Sequence, residues 1–333
     1  MANICFFDTT TDRWNSGQNP DTPNVADKLL QAAFQTSSPS EVRVGGLVTT
    51  THDASGFVLD KANHVATNAH VALGGRSLYV LTRSGQKLDA TIDKLDIAND
   101  VAILNVPGLN KTNAPPVTLA SADAASPGKG LFAVGTIGFS DDPHGLQCIS
   151  HGAAVRTDRL SSIWNSADMP KGPEQFGAET FREMYLKRHY TLAGQELLAH
   201  SDAYKPLIDR FMRHPVLFTN TAGASGMSGG PVSSDDGKVV GQTFGVKGLE
   251  TLLATPISVV SELASKPSRF SFKYEQEDRA GATRGSGGPK LQQIVATDES
   301  ARAETRLANI MLLDLQNWEV WPDPPKFTRV PVK

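Results

Sequence analysis

Disulfides, membrane spans and a dominant charge are all scarce in this sequence. Cys5 and Cys148 are the only cysteines in 333 residues, too few to staple a chain of this size, so a disulfide framework is excluded and a reducing, cytoplasmic setting fits best. No apolar run is long enough to cross a bilayer. The opening Met1-Ala2-Asn3-Ile4-Cys5-Phe6-Phe7-Asp8 lacks the basic region and long apolar core of a secretory signal. Lys and Arg number 32 against 35 Asp and Glu, and a net charge of −3 leaves no cationic excess for nucleic acid or an acidic membrane surface. A hydrophobic content of 39% is still enough to bury a substantial core.

One stretch stands out. Gly226-Met227-Ser228-Gly229-Gly230-Pro231-Val232 places a serine among glycines just before a run that reads as a strand. Serine is a weak nucleophile until a base takes its proton, and acyl transfer also needs N–H donors aimed at the oxyanion. Gly-x-Ser-x-Gly is equally the nucleophile elbow of α/β-hydrolases, in which the histidine follows the serine. The eight histidines, His52, His64, His70, His144, His151, His189, His200 and His214, all precede Ser228. The base must come from upstream. Val65-Ala66-Thr67-Asn68-Ala69-His70-Val71 puts His70 where a strand ends in a loop, and Asn99-Asp100-Val101-Ala102-Ile103-Leu104 puts a carboxylate at the head of a β-rich run. The order is His, Asp, Ser.

These three blocks resemble trypsin-like (chymotrypsin-fold) serine proteases, and most closely the HtrA-like branch, with its Thr-Asn-x-His-Val, Asp-(Ile/Val)-Ala-(Val/Ile)-Leu and Gly-Asn-Ser-Gly-Gly-Pro blocks. The resemblance spans about residues 41 to 265, apart from one insertion. It implies an all-β fold of two antiparallel six-stranded β-barrels with the triad in the cleft between them. It implies that Ser228 attacks the scissile carbonyl, that His70 shuttles the proton, that Asp100 orients His70, and that the N–H groups of Gly226 and Ser228 form the oxyanion hole. Met227 stands where the family has Asn or Asp. Ala222 falls at the base of the S1 pocket, with Thr243, Phe244 and Gly245 along its wall. No acid sits there, so small or medium apolar P1 residues are expected. The implied activity is that of a serine endopeptidase on protein or peptide substrates, without cofactor or metal.

Each assignment has a competitor. His64 reads as part of the hairpin turn in Ala62-Asn63-His64, and Asp96 does not directly precede the Val-Ala-Ile-Leu strand as Asp100 does. Ser286, in Arg284-Gly285-Ser286-Gly287-Gly288-Pro289, copies the Ser-Gly-Gly-Pro string within a polar, glycine-rich stretch that reads as linker. His144, Cys148 and His151 lie on a segment read as strand and have no fourth metal ligand nearby. Two readings from other classes stay open, a silent relative that binds peptides and a non-proteolytic hydrolase such as an esterase.

Along the chain, residues 1–40 read as an N-terminal extension in which Val25, Leu29, Leu30, Ala33 and Phe34 have the spacing of a short helix over 22 to 35. Residues 41–265 read as the protease domain, with barrel one at about 41–120, starting with a strand over Val42 to Thr50, and barrel two at about 121–265. An insertion at about 160–215 carries two helix-like runs, one with Phe181, Met184 and Tyr185, the other opened by Pro206. It is expected to gate the site, to dock a regulatory partner or to be decoration, and relatives of this kind form homo-oligomers. Residues 266–333 read as linker and C-terminal tail, with a helix over Ala301 to Leu315 and no room for a PDZ domain. Arg43-Val44-Gly45-Gly46 resembles a zymogen cleavage site, but the branch needs no such cleavage.

Overall fold

The computed structural model describes residues 4–8, 13–16, 33–37, 43–44, 47–48, 53–60, 62–73, 78–81, 86–112, 116–137, 146–163, 191–223, 226–246, 251–275 and 289–316. An N-terminal hairpin, β1 (Ile4–Asp8) with β2 (Arg13–Ser16), is followed by β3 (Ala33–Ser37) and a short hairpin of β4 (Arg43–Val44) with β5 (Leu47–Val48). Next come β6 (Asp53–Val58), β7 (His64–Thr67), the short helix α1 (Ala69–Leu73), β8 (Leu78–Leu81), β9 (Lys87–Asp96) and β10 (Val101–Asn105). Six of these strands close a barrel in the order β10-β7-β6-β3-β8-β9.

The second sheet uses β11 (Thr118–Leu119), β12 (Gly130–Ile137) and β13 (Leu146–Arg159). After the helices α2 (Thr191–Ala199) and α3 (Ser201–Met212) it continues with β14 (Pro215–Thr219), β15 (Pro231–Ser234), β16 (Lys238–Val246) and β17 (Leu252–Pro256). Its path runs β12-β15-β16-β17-β14-β13, and pairing of β12 with β13 curls it back on itself as the second barrel. The chain ends its described part with α4 (Ile257–Ser265), the hairpin β18 (Phe270–Glu275) with β19 (Lys290–Ala296), and α5 (Arg302–Gln316).

Strand alternation explains the barrels. On β9, Leu88, Ala90 and Ile92 are buried while Lys87 and Asp89 are exposed, the period of two that turns one face to a core. β10 is buried on both faces. Its Ala102 and Leu104 join the barrel-one core, whereas Val101 and Ile103 pack with Phe57, Phe132, Val134, Ile149, Val239 and Val260 in a cluster contributed by both barrels and α4. Burial of such side chains stabilises by about 1.5–3 kcal/mol each. The strand that Asp100 heads is therefore the seam between the barrels.

Several expectations need correction. Ala33–Ser37 is a barrel strand, paired with both β6 and β8, and not the end of a helix; residues 22–32 lie outside the described residues. Helical spacing over so short a run yields to the demand of a closed barrel for a strand between β6 and β8. Barrel one thus begins upstream of residue 41, and Arg43–Val44 and Leu47–Val48 form a separate hairpin instead of its first strand. The N-terminal extension also serves barrel two, since β1 lies parallel to β13 with the two cysteines, Cys5 and Cys148, in register. Residues 270–275 and 290–296 are paired strands within what reads as linker, and Ser286 lies outside the described residues.

In the insertion, Phe181, Met184 and Tyr185 lie outside the described residues. The second run starts one turn earlier than Pro206 suggests, at Ser201, with Pro206 inside the helix. Tyr204, Leu207, Ile208 and Phe211 of α3 and Leu197 of α2 share one core with barrel one, Phe270, Leu291 and Ile294 of the last hairpin, and Leu307, Met311 and Leu312 of α5. Asp314 of α5 accepts the N–H groups of Leu192 (2.8 Å) and Ala193 (2.9 Å), capping the first turn of α2 from another helix. Helices α2 and α3, the hairpin of β18 with β19, and α5 form one layer against barrel one.

Candidate active site

β7 ends at Thr67, and the chain turns into α1 with His70 in its first turn. β9 ends at Asp96, and a turn over residues 97–100 delivers Asp100 to the start of β10. The carboxylate of Asp100, only 3% exposed, accepts from His70 twice: the backbone N–H donates to Oδ1 at 3.0 Å and Nδ1 lies 2.8 Å from Oδ2. An ionised carboxylate only accepts, so Nδ1 carries the proton and Nε2 is left as the basic nitrogen. Burial opposes a charged imidazole, but Asp100, through its charge and its hydrogen bond, more than offsets this and raises the His70 pKa above 6.5.

Asp100 holds a left-handed conformation, with φ at 53°. Aspartate tolerates this region better than most residues, but the conformation persists only where neighbours fix it. Here the Asn68 side-chain amide donates to the Asp100 carbonyl at 3.0 Å, and the Asp100 N–H donates to the Ile97 carbonyl at 3.3 Å. The Asn of the Thr-Asn-Ala-His block thus binds the turn that presents Asp100.

The Ser228 loop is fastened to barrel one. The Ser55 N–H donates to the Ser228 carbonyl at 2.8 Å, the Ser55 hydroxyl donates to the Gly226 carbonyl at 2.9 Å, and the Thr67 hydroxyl donates to the Ser55 carbonyl at 2.8 Å. Ser55 sits on β6 beside β7, the strand that leads to His70. Gly229, with φ at 87°, brings its Cα so close to β6 that a Cβ would lie 2.1 Å from the Ser55 carbonyl oxygen and 2.5 Å from Thr67 Oγ1. Only glycine fits this approach. The Met227 carbonyl accepts from the Gly230 N–H at 2.9 Å, so the Ser228 N–H on the same planar peptide points the opposite way, outward from the turn. Met227 itself is buried with Leu131, Ala133, Val232 and Val240, so the residue that departs from the family pattern anchors the loop in barrel two.

His70 and Asp100 are brought together directly, and Ser228 reaches the same junction through the backbone bonds to Ser55. The four pocket residues separate. Ala222 is buried, its carbonyl accepting from Ser150 Oγ at 2.7 Å. Thr243 pairs with the Ser228 loop, its carbonyl accepting from Gly229 N–H at 2.7 Å and its N–H donating to Gly230 at 2.8 Å. A Cβ at Gly245 would meet nothing within 4 Å, so that face is open. Phe244 turns its ring edge-on to His214, centroids 5.3 Å apart.

The two competitors have other partners. His64 Nδ1 lies 2.7 Å from Asp60 Oδ2 at the hairpin turn, and Asp96 binds Asn99 and Arg210. No group of three or more metal-ligating side chains occurs among the described residues. Sequence reasoning gave no role to Asn99, though it opens the Asp100 block, and missed Ser55, His214 and Arg210, which carry no local motif.

The family model of the trypsin-like peptidase domain matches residues 54–241, more than half of the chain. A probable periplasmic serine endoprotease DegP-like from Halomonas elongata is 26% identical over 219 residues, covering 64% of this chain and 34% of that protein. A putative serine protease HhoB from Synechocystis is 33% identical over 81 residues, covering 24% and 19%. The chain thus spans about a third or less of the length of these relatives. Among solved structures, the protease Rv3671c from M. tuberculosis in its active form is 20% identical with a TM-score of 0.48, covering 75% of this chain and 94% of that one. The serine endoprotease from Yersinia pestis is 15% identical, also at 0.48, covering 74% and 66%.

Proposed function

The chain belongs to the trypsin-like peptidase family, and from that premise we propose that it is a serine endopeptidase working through His70, Asp100 and Ser228. The observation that carries this reading is the doubly bonded His70–Asp100 pair next to a serine loop that the first barrel holds by its carbonyl groups. In the proposed reaction the Ser228 hydroxyl attacks the scissile carbonyl while His70 Nε2 takes its proton, and Asp100 steadies the imidazolium. The oxyanion is met by the N–H groups of Gly226 and Ser228, where losing one donor raises the barrier by about 2.7–4 kcal/mol. The tetrahedral intermediate then expels the amine, which receives the proton from His70, and water cleaves the acyl-enzyme by the same steps in reverse order.

Substrates on this reading are proteins or peptides. The uncharged surroundings of Ala222, Thr243 and Gly245 favour small or medium apolar P1 residues. The compartment inferred from two cysteines is a reducing one, although the Halomonas elongata relative is named for the periplasm. Hydrolysis of a mixed peptide library, compared between the wild type and Ser228→Ala, tests the reading. Cleavage after small apolar residues that vanishes in the variant supports it; cleavage that persists in Ser228→Ala, or a profile led by Arg and Lys, contradicts it.

A further inference from the structure

Behind the Asp100 turn lies a chain of polar contacts that the proposed mechanism does not use, and it leads into the insertion. Asn99, next to Asp100, is gripped by Asp96: its N–H donates to Oδ1 at 3.1 Å and its side-chain amide donates to Oδ2 at 2.7 Å. That fixes the amide orientation and points Asn99 Oδ1 at His214 Nδ1, 2.9 Å away. His214, one residue before β14 and 2% exposed, must therefore carry its proton on Nδ1. Its Nε2 then faces the Thr255 hydroxyl at 3.2 Å.

Asp96 in turn accepts from Arg210 of α3 at 2.9 Å. The other arm of the same guanidinium donates to Glu304 of α5 at 3.0 Å, and Glu304 also accepts from Arg269 at 3.0 Å. Charges alternate along the line, from Asp96 to Arg210 to Glu304 to Arg269. The two arms of Arg210 span carboxylates from segments far apart in sequence, a fork that a lysine ammonium cannot reproduce.

We propose that Arg210 is a positioning residue for Asp100: through Asp96 and Asn99, the insertion helix α3 and the C-terminal helix α5 hold the strained turn that aims the carboxylate at His70. This rests on the role of Asp100 proposed above. Helix α3 of the insertion is then a brace behind the acid of the triad. The effect of Arg210 falls on turnover, because its guanidinium bonds to the Asp96 that grips Asn99 beside Asp100.

The test compares full-length wild type with Arg210→Met, Arg210→Lys and Glu304→Gln. Two readouts are taken: kcat and KM on one peptide substrate, and the low-field proton resonance of His70 Nδ1–H in its hydrogen bond to Asp100. The expected result for Arg210→Met is a fall in kcat of about ten-fold with KM changed by less than about two-fold, and a shifted or broadened resonance. Arg210→Lys should fall between wild type and Arg210→Met, and Glu304→Gln, one contact further away, should lose less than Arg210→Met. A folded Arg210→Met with unchanged kcat and resonance overturns the proposal, as does a loss confined to KM. Should Arg210→Met fail to fold, Arg210→Lys with wild-type kcat and resonance overturns it equally. If the wild type cleaves no peptide, the endopeptidase reading fails, but the resonance still judges the brace.

Discussion

His214 ties acid stability to the back of the active site. Burial pushes its pKa down to about 4, against the opposing pull of Asp100 and Asp96, so it is neutral in the folded protein while the unfolded chain takes up a proton near 6.5. Between these values the unfolded state binds one more proton than the folded one. Stability contributed by neutral His214 is therefore fully present above 6.5 and is lost as the pH falls towards 4, below which both states are protonated. A window of roughly 2.5 pH units at roughly 1.4 kcal/mol per unit makes the total loss about 3.5 kcal/mol. That is a large share of the 5–15 kcal/mol of a typical domain.

Urea unfolding across this window, wild type against His214→Gln, isolates the effect because glutamine does not titrate. His70 works in the opposite sense: its raised pKa gives stability present below 6.5 and lost as the pH rises through the folded value, and it is common to both proteins. The stability difference between wild type and variant should shift against the wild type by about 3.5 kcal/mol from the upper to the lower end of the window. A difference independent of pH would refute a neutral, buried His214 and with it the proton arrangement drawn for Asn99.

Three further outcomes are expected. Gly229→Ala forces a Cβ onto the Ser55 carbonyl at a φ of 87°, so kcat/KM on a peptide should fall by about 100-fold or more while thermal unfolding stays cooperative. Asp100→Asn should lower kcat by about 10⁴ and move the acid limb of kcat/KM, which lies above 6.5 in the wild type, to lower pH, as read from a pH–rate profile. Asp314→Ala frees two N–H groups of α2 and should cost about 1 kcal/mol or more in chemical unfolding, with kcat less affected than in Arg210→Met.

What the sequence made legible follows from the range of the interactions. His70, Asp100 and Ser228 sit in blocks whose neighbours serve the same local purpose: Asn68 binds the Asp100 turn, Val101 to Leu104 form the seam strand, and Gly229 permits the close approach to Ser55. Order and spacing therefore single them out as candidates. Arg210 lies 114 residues from Asp96 and 94 from Glu304, and His214 lies 115 from Asn99, so no local pattern marks these pairs. Ala33 and Phe34 misled for a related reason, because β3 is a strand only in the company of β6 and β8. The C-terminal segment reads as linker because the 276–288 stretch between its strands is rich in glycine and charge, whereas Phe270, Leu291 and Ile294 are core residues.

Reaction with a fluorophosphonate probe tests the assembled nucleophile most directly, with wild type, Ser228→Ala and Ser286→Ala compared and the adduct located by peptide mass spectrometry. The account predicts one adduct on Ser228, present in Ser286→Ala and absent from Ser228→Ala. A folded wild type that takes up no probe, or an adduct on another serine, would contradict it.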